Sequence, residues 1–258
     1  MGANTAAVSS RVRDFICEAS LAAATLTLWP ILGDSSSGTA AQRGRAFAYI
    51  PIVGLAIGVL LAEIDRLLAP TLRLVPRSSA VVLVSTILSL GLNWRGFADT
   101  IEALRQGARP ASTGLARISP IGAFAALAAF ALEIYCLSAI TDREGRASAL
   151  IMATMLSRWS TAPVGYGLKP LERWGLGVPY EGGINFTEFA ISSVIALGLT
   201  MTLYQVVGLL VIVVLAILIL AIRLLYSRRL GGAAGYALAG AIAVVELIIL
   251  AALAAVYR

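Results

Sequence analysis

Four polar side chains, Asn93, Arg95, Asp99 and Glu102, lie close together where a long apolar run gives way to G-L-N-W-R-G-F-A-D-T-I-E-A-L, residues 91–104. Polar groups at such a boundary lose hydration unless they are paired, wetted or bound to something charged. If the segment is helical, Asp99 and Glu102 share a face, with Arg95 one turn before Asp99 and Arg105 nearly one turn after Glu102. Two readings are open. The layout is either a polar site for a phosphorylated substrate or a pair of local ion pairs, each worth about 0.3–0.5 kcal/mol.

The elements that must position these residues are set by composition. The chain is 59% hydrophobic and 13% charged, against roughly 45–50% and about 25% in soluble domains, and its mean hydropathy is +0.88. Several continuous apolar runs approach the ~20 residues that cross a bilayer, and they do not alternate as barrel strands do. The fold class is therefore an all-α polytopic transmembrane helical bundle of about seven spans with an N-terminal interfacial helix. Residues 1–14 read as a flexible N-terminus and 15–258 as a single integral-membrane domain. Asp14 and Glu18 interrupt the charge pattern of a signal peptide.

The chain carries a net charge of +6 and contains no histidine. Histidine acid–base catalysis and histidine–metal sites are thus excluded. The arginines flank apolar runs, which is a topology signal rather than a nucleic-acid footprint. Cys17 and Cys136 give neither a zinc spacing nor a disulfide framework.

The expected order begins with an interfacial helix over Phe15–Leu32 and a first span over Phe47–Ile64, where Gly54 and Gly58 have the spacing of close helix packing. A short span over Ala80–Leu92 precedes a polar loop, Asn93–Pro120. Spans over Ile121–Ile140 and Ala147–Leu168 follow, joined by the turn Asp142–Arg146. After a second loop, Lys169–Thr187, the run Phe189–Ile222 is too long for one helix at 1.5 Å per residue and is split near Tyr204–Gly208. A last span covers Ala237–Val256. This arrangement puts both polar loops, and most of the basic residues, on the cytoplasmic side.

Among the charges within spans, two stand out. Arg158 and Glu246 each need a partner, a polar cavity or water in a low-dielectric setting, and each can be the other's partner. Trp94, Trp159 and Trp174 read as interfacial anchors.

In order and spacing, P-I-V-G-L-A-I-G-V-L-L, the G-L-N-W-R-G-F-A-D-T segment, I-S-P-I-G-A-F, L-S-R-W and R-R-L-G-G-A-A-G resemble the cobalamin synthase family, the adenosylcobinamide-GDP ribazoletransferases. The resemblance runs from about Phe15 to the C-terminus. It implies a transferase of cobalamin biosynthesis in the bacterial inner membrane. Such an enzyme joins α-ribazole or its 5′-phosphate to adenosylcobinamide-GDP, releases GMP and uses Mg²⁺. The implied partners are the lipid bilayer and a phosphorylated corrinoid or other nucleotide-linked small molecule, with no nucleic acid. The alternative reading is a catalytically impaired paralogue that binds a ligand or partner in the membrane.

Motif by motif, the family reads close to H-L-D-G-L-A-D-T-A-D-G, K-D-S-R-I-G and T-G-D-x-L-G. Asp99 matches an acid of the first motif, and Glu102 stands where the next Asp falls. These two are the implied catalytic and metal-holding carboxylates. Asn93, Arg95, Ser119 and Arg158 are the implied substrate contacts, and Glu246 matches a further acidic position. The chain departs from the family at Arg95, Ile118, Pro120 and Tyr236, where the family has Asp, Asp, Arg and Asp. Fixed positive charge at Arg95 lowers the attraction for a cation, so Mg²⁺ binding in the absence of substrate is expected to be weak or nil.

Overall fold

The computed structural model describes residues 45–106, 119–171 and 184–257. Among them the helices are α1 (Ile50–Leu68), α2 (Leu74–Leu88), α3 (Leu92–Gln106), α4 (Pro120–Ala139), α5 (Arg143–Trp159), the short α6 (Thr161–Gly165), α7 (Phe186–Leu225) and α8 (Gly235–Val256). The expected interfacial helix at 15–32, the flexible 1–14 and Trp174 lie outside the described residues, as does most of the Lys169–Thr187 loop.

Local chemistry explains where the helices begin. Pro51 and Pro120 sit in the first turns of α1 and α4, where a missing N–H costs nothing. The Ser119 hydroxyl accepts from the Gly122 amide at 3.0 Å and caps α4. Asp142 caps α5 in the same way through the Gly145 amide. The expected turn Asp142–Arg146 is therefore the cap and first turn of α5. Helix α2 starts at Leu74 rather than Ala80, because Pro76 falls in its first turn and is tolerated there.

The polar loop expected at Asn93–Pro120 is corrected over its first half, which is helix α3. Its low hydrophobicity excludes a span but not a helix, and no glycine or proline interrupts it between Phe97 and Gln106. Leu90 and Gly91 have φ of 53° and 67°. These two left-handed residues turn the chain by 81° between α2 and α3.

The long helix α7 is broken at Gln205 (φ 43°, ψ −115°), inside the expected Tyr204–Gly208 window. Past the break, Gly208 lies directly against the Thr200 carbonyl, so the chain folds back on itself. By length and composition, three helices among the described residues can cross a membrane: α4, α7 with its following turn, and α8. The bent pair α2–α3 makes up to a fourth. The protein is an all-α membrane protein in which α1 carries too many charges, and α5 is too short and too charged, to be a span by the same measure.

Helix α8 is the centre of the bundle and packs against α3, α4 and α5, while α1 packs along α5. Both contacts depend on missing side chains. A Cβ on Gly54 would lie 2.6 Å from the Thr154 carbonyl, and one on Gly58 2.7 Å from Ile151 Cα. Gly96 of α3 and Gly240 of α8 meet so closely that a Cβ on Gly96 would lie 2.6 Å from the Tyr236 carbonyl.

Candidate functional site

Arg158 in α5, Glu246 in α8 and Glu133 in α4 are buried in the bundle, together with Asn93 at the start of α3. Arg158 Nη1 stands 3.7 Å from Glu246 Oε2 and donates to the Thr154 carbonyl at 3.1 Å. The Ser157 hydroxyl lies 3.4 Å from the same Glu246 oxygen. Arg158 Nη2 is buried without a hydrogen bond. Its stem runs beside Gly54, so the α1–α5 contact that needs glycine also sets the path of the guanidinium.

Ser85, Thr86, Ser89, Asn93, Trp94, Glu133, Ala243 and Glu246 line a small cavity of about 10 Å³. Asn93 thus faces the two buried acids rather than the rest of the α3 polar residues.

Those other residues occupy a different face of α3. Arg95 Nε donates to Asp99 Oδ2 at 3.0 Å and to Oδ1 at 3.3 Å, with both side chains about four-fifths buried. Arg105 Nη2 donates to Glu102 Oε1 at 2.9 Å, and Gln106 donates to that same oxygen. Helix α3 is too polar to span, and here Arg105 first, then the facing Ser119 hydroxyl, hold the Glu102 carboxyl down to about 2. Glu102 Oε2 is nevertheless buried without a hydrogen bond of normal geometry.

Between α3 and α4 runs an open apolar groove of about 450 Å³, with Trp94, Arg95, Leu127 and Phe130 among its lining residues. Trp94 donates to the Thr86 hydroxyl at 3.2 Å and meets Phe130 edge-on at 5.7 Å. It is a packing residue between helices. Trp159 is buried too, and its indole N–H donates to Ser193 at 3.2 Å. For Trp159 the interfacial-anchor expectation is replaced by a role in joining helices, while Trp94 stays half-buried beside the open groove.

The structure thus divides the sequence-predicted residues. Asn93, Arg158 and Glu246 come together deep in the bundle, while Arg95, Asp99, Glu102 and Ser119 gather along the outer side of α3. Glu133 escaped the sequence reading, although a lone acid in the apolar run A-F-A-L-E-I-Y-C is itself a signal.

The carboxylates of α3 fit a resident metal ion poorly. Arg95 engages both oxygens of Asp99, and Arg105 and Gln106 engage one oxygen of Glu102. Among the described residues, no three Asp, Glu, Cys or His side chains cluster into an all-protein metal cage.

Fold and site together define an integral membrane protein of helices with a charged cluster buried between them and a polar helix, α3, folded against the bundle. The model of the cobalamin-5-phosphate synthase family matches residues 18–254, and the chain belongs to that family. It is 30% identical over 229 residues to the adenosylcobinamide-GDP ribazoletransferase of Syntrophobacter fumaroxidans, covering 85% of this chain and 90% of that one. With the enzyme of the same name from Geotalea daltonii it shares 28% over 202 residues, 76% of this chain and 80% of the relative. The Roseiflexus sp. enzyme of that name is 26% identical over 215 residues, 81% of this chain and 79% of the relative. No solved structure matches the chain.

Proposed function

We propose that this protein acts as an adenosylcobinamide-GDP ribazoletransferase, joining α-ribazole or its 5′-phosphate to adenosylcobinamide-GDP with release of GMP. The observation that carries this reading is the family match along nearly the whole chain, supported by relatives of that name that align over most of their own length. No observation favours the alternative of an impaired paralogue.

The reaction makes one P–O bond and breaks another. A ribose hydroxyl of the ribazole that the 5′-phosphate leaves free gives up its proton and attacks the pyrophosphate phosphorus on the cobinamide side, and GMP leaves with the bridging oxygen. Charge on the phosphoryl oxygens is then best met by fixed cations. Along α3 those are Arg95 and Arg105. Asp99 and Glu102 hold them in place, and guanidinium groups suit phosphate oxygens. Because these carboxylates are already charge-compensated, we assign them to orienting the arginines, and no step is routed through a metal. Asn93 is proposed to contact substrate at the inner end of α3, with Ser119 at its outer end.

The arginine distribution supports a cell-membrane location with α3 at the cytoplasmic face. A single cysteine at the exposed Gln106, in a background lacking Cys17 and Cys136, should react with an impermeant reagent from the cytoplasmic side alone. The activity itself is tested by expression in a bacterial strain lacking its ribazoletransferase and supplied with cobinamide. Growth that depends on the protein is the expected result, and a loss of at least tenfold in product for Arg95→Ala. Membrane-inserted wild type that supports no growth and releases no GMP from adenosylcobinamide-GDP overturns the reading.

A further inference from the structure

The cavity bounded by α2, α3, α4 and α8 does not balance its charge. Two carboxyl groups, Glu133 and Glu246, line it, and the one cation near them among the described residues, Arg158, lies 3.7 Å from Glu246. Glu133 is 95% buried, from its 5% exposure, and among the described residues nothing pairs with it by hydrogen bond or by ion contact within 4.0 Å. Arg158 Nη2, buried with no hydrogen bond, does not bond to it either. With both acids ionised one negative charge is left over in a low-dielectric setting, where it has to be met by a cation or by a proton.

The neutral groups around Glu133 are arranged for a positive guest. The Ser89 hydroxyl spends its hydrogen on the Ser85 and Thr86 carbonyls, both at 3.1 Å. The Thr86 hydroxyl spends its own on the Val82 carbonyl at 2.9 Å. The Ser89 oxygen therefore presents its lone pairs, the Thr86 oxygen keeps one beside the bond it accepts from Trp94, and the Asn93 amide adds a carbonyl to the lining, so acceptors are available. A cavity of about 10 Å³ holds one water-sized body, since a single probe sphere needs roughly 10–15 Å³.

From the charge, the lining and the size, we infer that this cavity is a binding site for one dehydrated monovalent cation, sodium by its dimensions, held by Glu133, Glu246, Asn93 and the hydroxyl oxygens of α2. Magnesium is a poorer fit. It demands octahedral geometry and keeps several waters, which this volume does not admit, and its second charge would overcompensate the site. The inference concerns residues apart from the α3 arginines and does not depend on the transferase reading.

The test uses the full chain in nanodiscs. Thermal unfolding is followed at pH 7.5 in sodium, potassium, choline or magnesium chloride at matched ionic strength, and bound ²²Na⁺ is measured by equilibrium dialysis. The expected result is about one sodium per chain. The unfolding midpoint should rise with sodium over choline, by on the order of 3 °C per tenfold increase once the ion is well above its dissociation constant. Glu133→Gln removes the surplus charge and should abolish both signals, while Ser89→Ala should weaken sodium several-fold and leave the fold intact. If Glu133→Gln cannot be purified, the Ser89→Ala shift and the wild-type dialysis decide the matter. Three outcomes overturn the site: no difference between sodium and choline, a response to magnesium alone, or a sodium-independent stability that falls as pH rises. The last would mean that a proton on Glu133 fills the role.

Discussion

The bundle contains two buried ionic clusters built from similar residues and put together in opposite ways. At the end where α1 finishes and α5 begins, Arg146 is fully buried. Its guanidinium donates to both Asp65 oxygens, at 2.6 and 3.1 Å. It also donates to the Ser78 hydroxyl at 3.2 Å and to the Leu137 and Ile140 carbonyls at 2.5 and 3.3 Å. Arg77 stands 3.2 Å from the same Asp65. The Arg158–Glu246–Glu133 cluster has one loose ion contact, an unbonded Nη2 and an acid without a partner. A buried ion contributes to stability when every lone pair and proton is used. In the first cluster the Arg146–Asp65 pair meets that condition and clamps α1, α2, α4 and α5 together, with only the neighbouring Arg77 Nε left without a hydrogen bond. The second is left unsatisfied inside the bundle, which is the expected signature of a site that receives something.

The largest effect that would sharpen this contrast is at the clamp. Asp65→Ala leaves Arg146 buried without its counter-ion and should lower stability by about 3–5 kcal/mol, read as a fall in the unfolding midpoint of the purified protein. A midpoint within error of wild type would remove the distinction between the clusters.

At the loose cluster, Arg158→Met and Glu246→Leu should each destabilise the protein by less than Asp65→Ala, because a 3.7 Å contact is a weak pair to lose. The double mutant should recover part of the loss. Addition of Glu133→Gln should recover more, since it neutralises the acid left alone. Additive losses across the series would show that Arg158 and Glu246 are not coupled.

Smaller again is the α1–α5 contact that sets the path of Arg158. Gly58→Ala should cost about 1–3 kcal/mol, as overpacking does in a tight interface, because its Cβ would meet Ile151 Cα at 2.7 Å. A neutral result in the same unfolding assay would mean that the two helices can separate without consequence.

The smallest effect on stability is expected on α3, where an i,i+4 pair is worth about 0.3–0.5 kcal/mol. Arg95→Asp should barely move the midpoint, yet it should raise Mg²⁺ affinity and weaken binding of inorganic pyrophosphate in metal-free buffer, both read by calorimetry. Micromolar Mg²⁺ binding by the wild type, lost in Asp99→Asn, would show a working metal site on α3 and contradict the charge-compensated reading.

Much of this protein was legible in the residues alone, because hydropathy, glycine spacing and local pairs are properties of neighbours in the chain. The helical membrane class, the small-residue stripe Gly54–Gly58 and the break near Gln205 follow from apolar runs, spacing and the rise per residue. The ion pair Arg95–Asp99 follows from helical periodicity, with local bonds as the open alternative that α3 adopts. Tertiary structure decided what periodicity cannot reach. Whether Asn93 faces the bulk of the α3 polar residues or the buried acids depends on the two left-handed residues Leu90 and Gly91, whose bend aims α3 along α8. Asp65, Arg77 and Arg146 lie at the ends of apolar runs in the sequence, and only the convergence of four helix ends buries them together. Glu133 meets Glu246 across 113 positions of sequence, from 246 and 133, and only the packing of α4 against α8 places them on one cavity. The cost of burying a charge depends on what surrounds it in three dimensions, so the sequence names the ionisable residues and the packing determines which of them are satisfied.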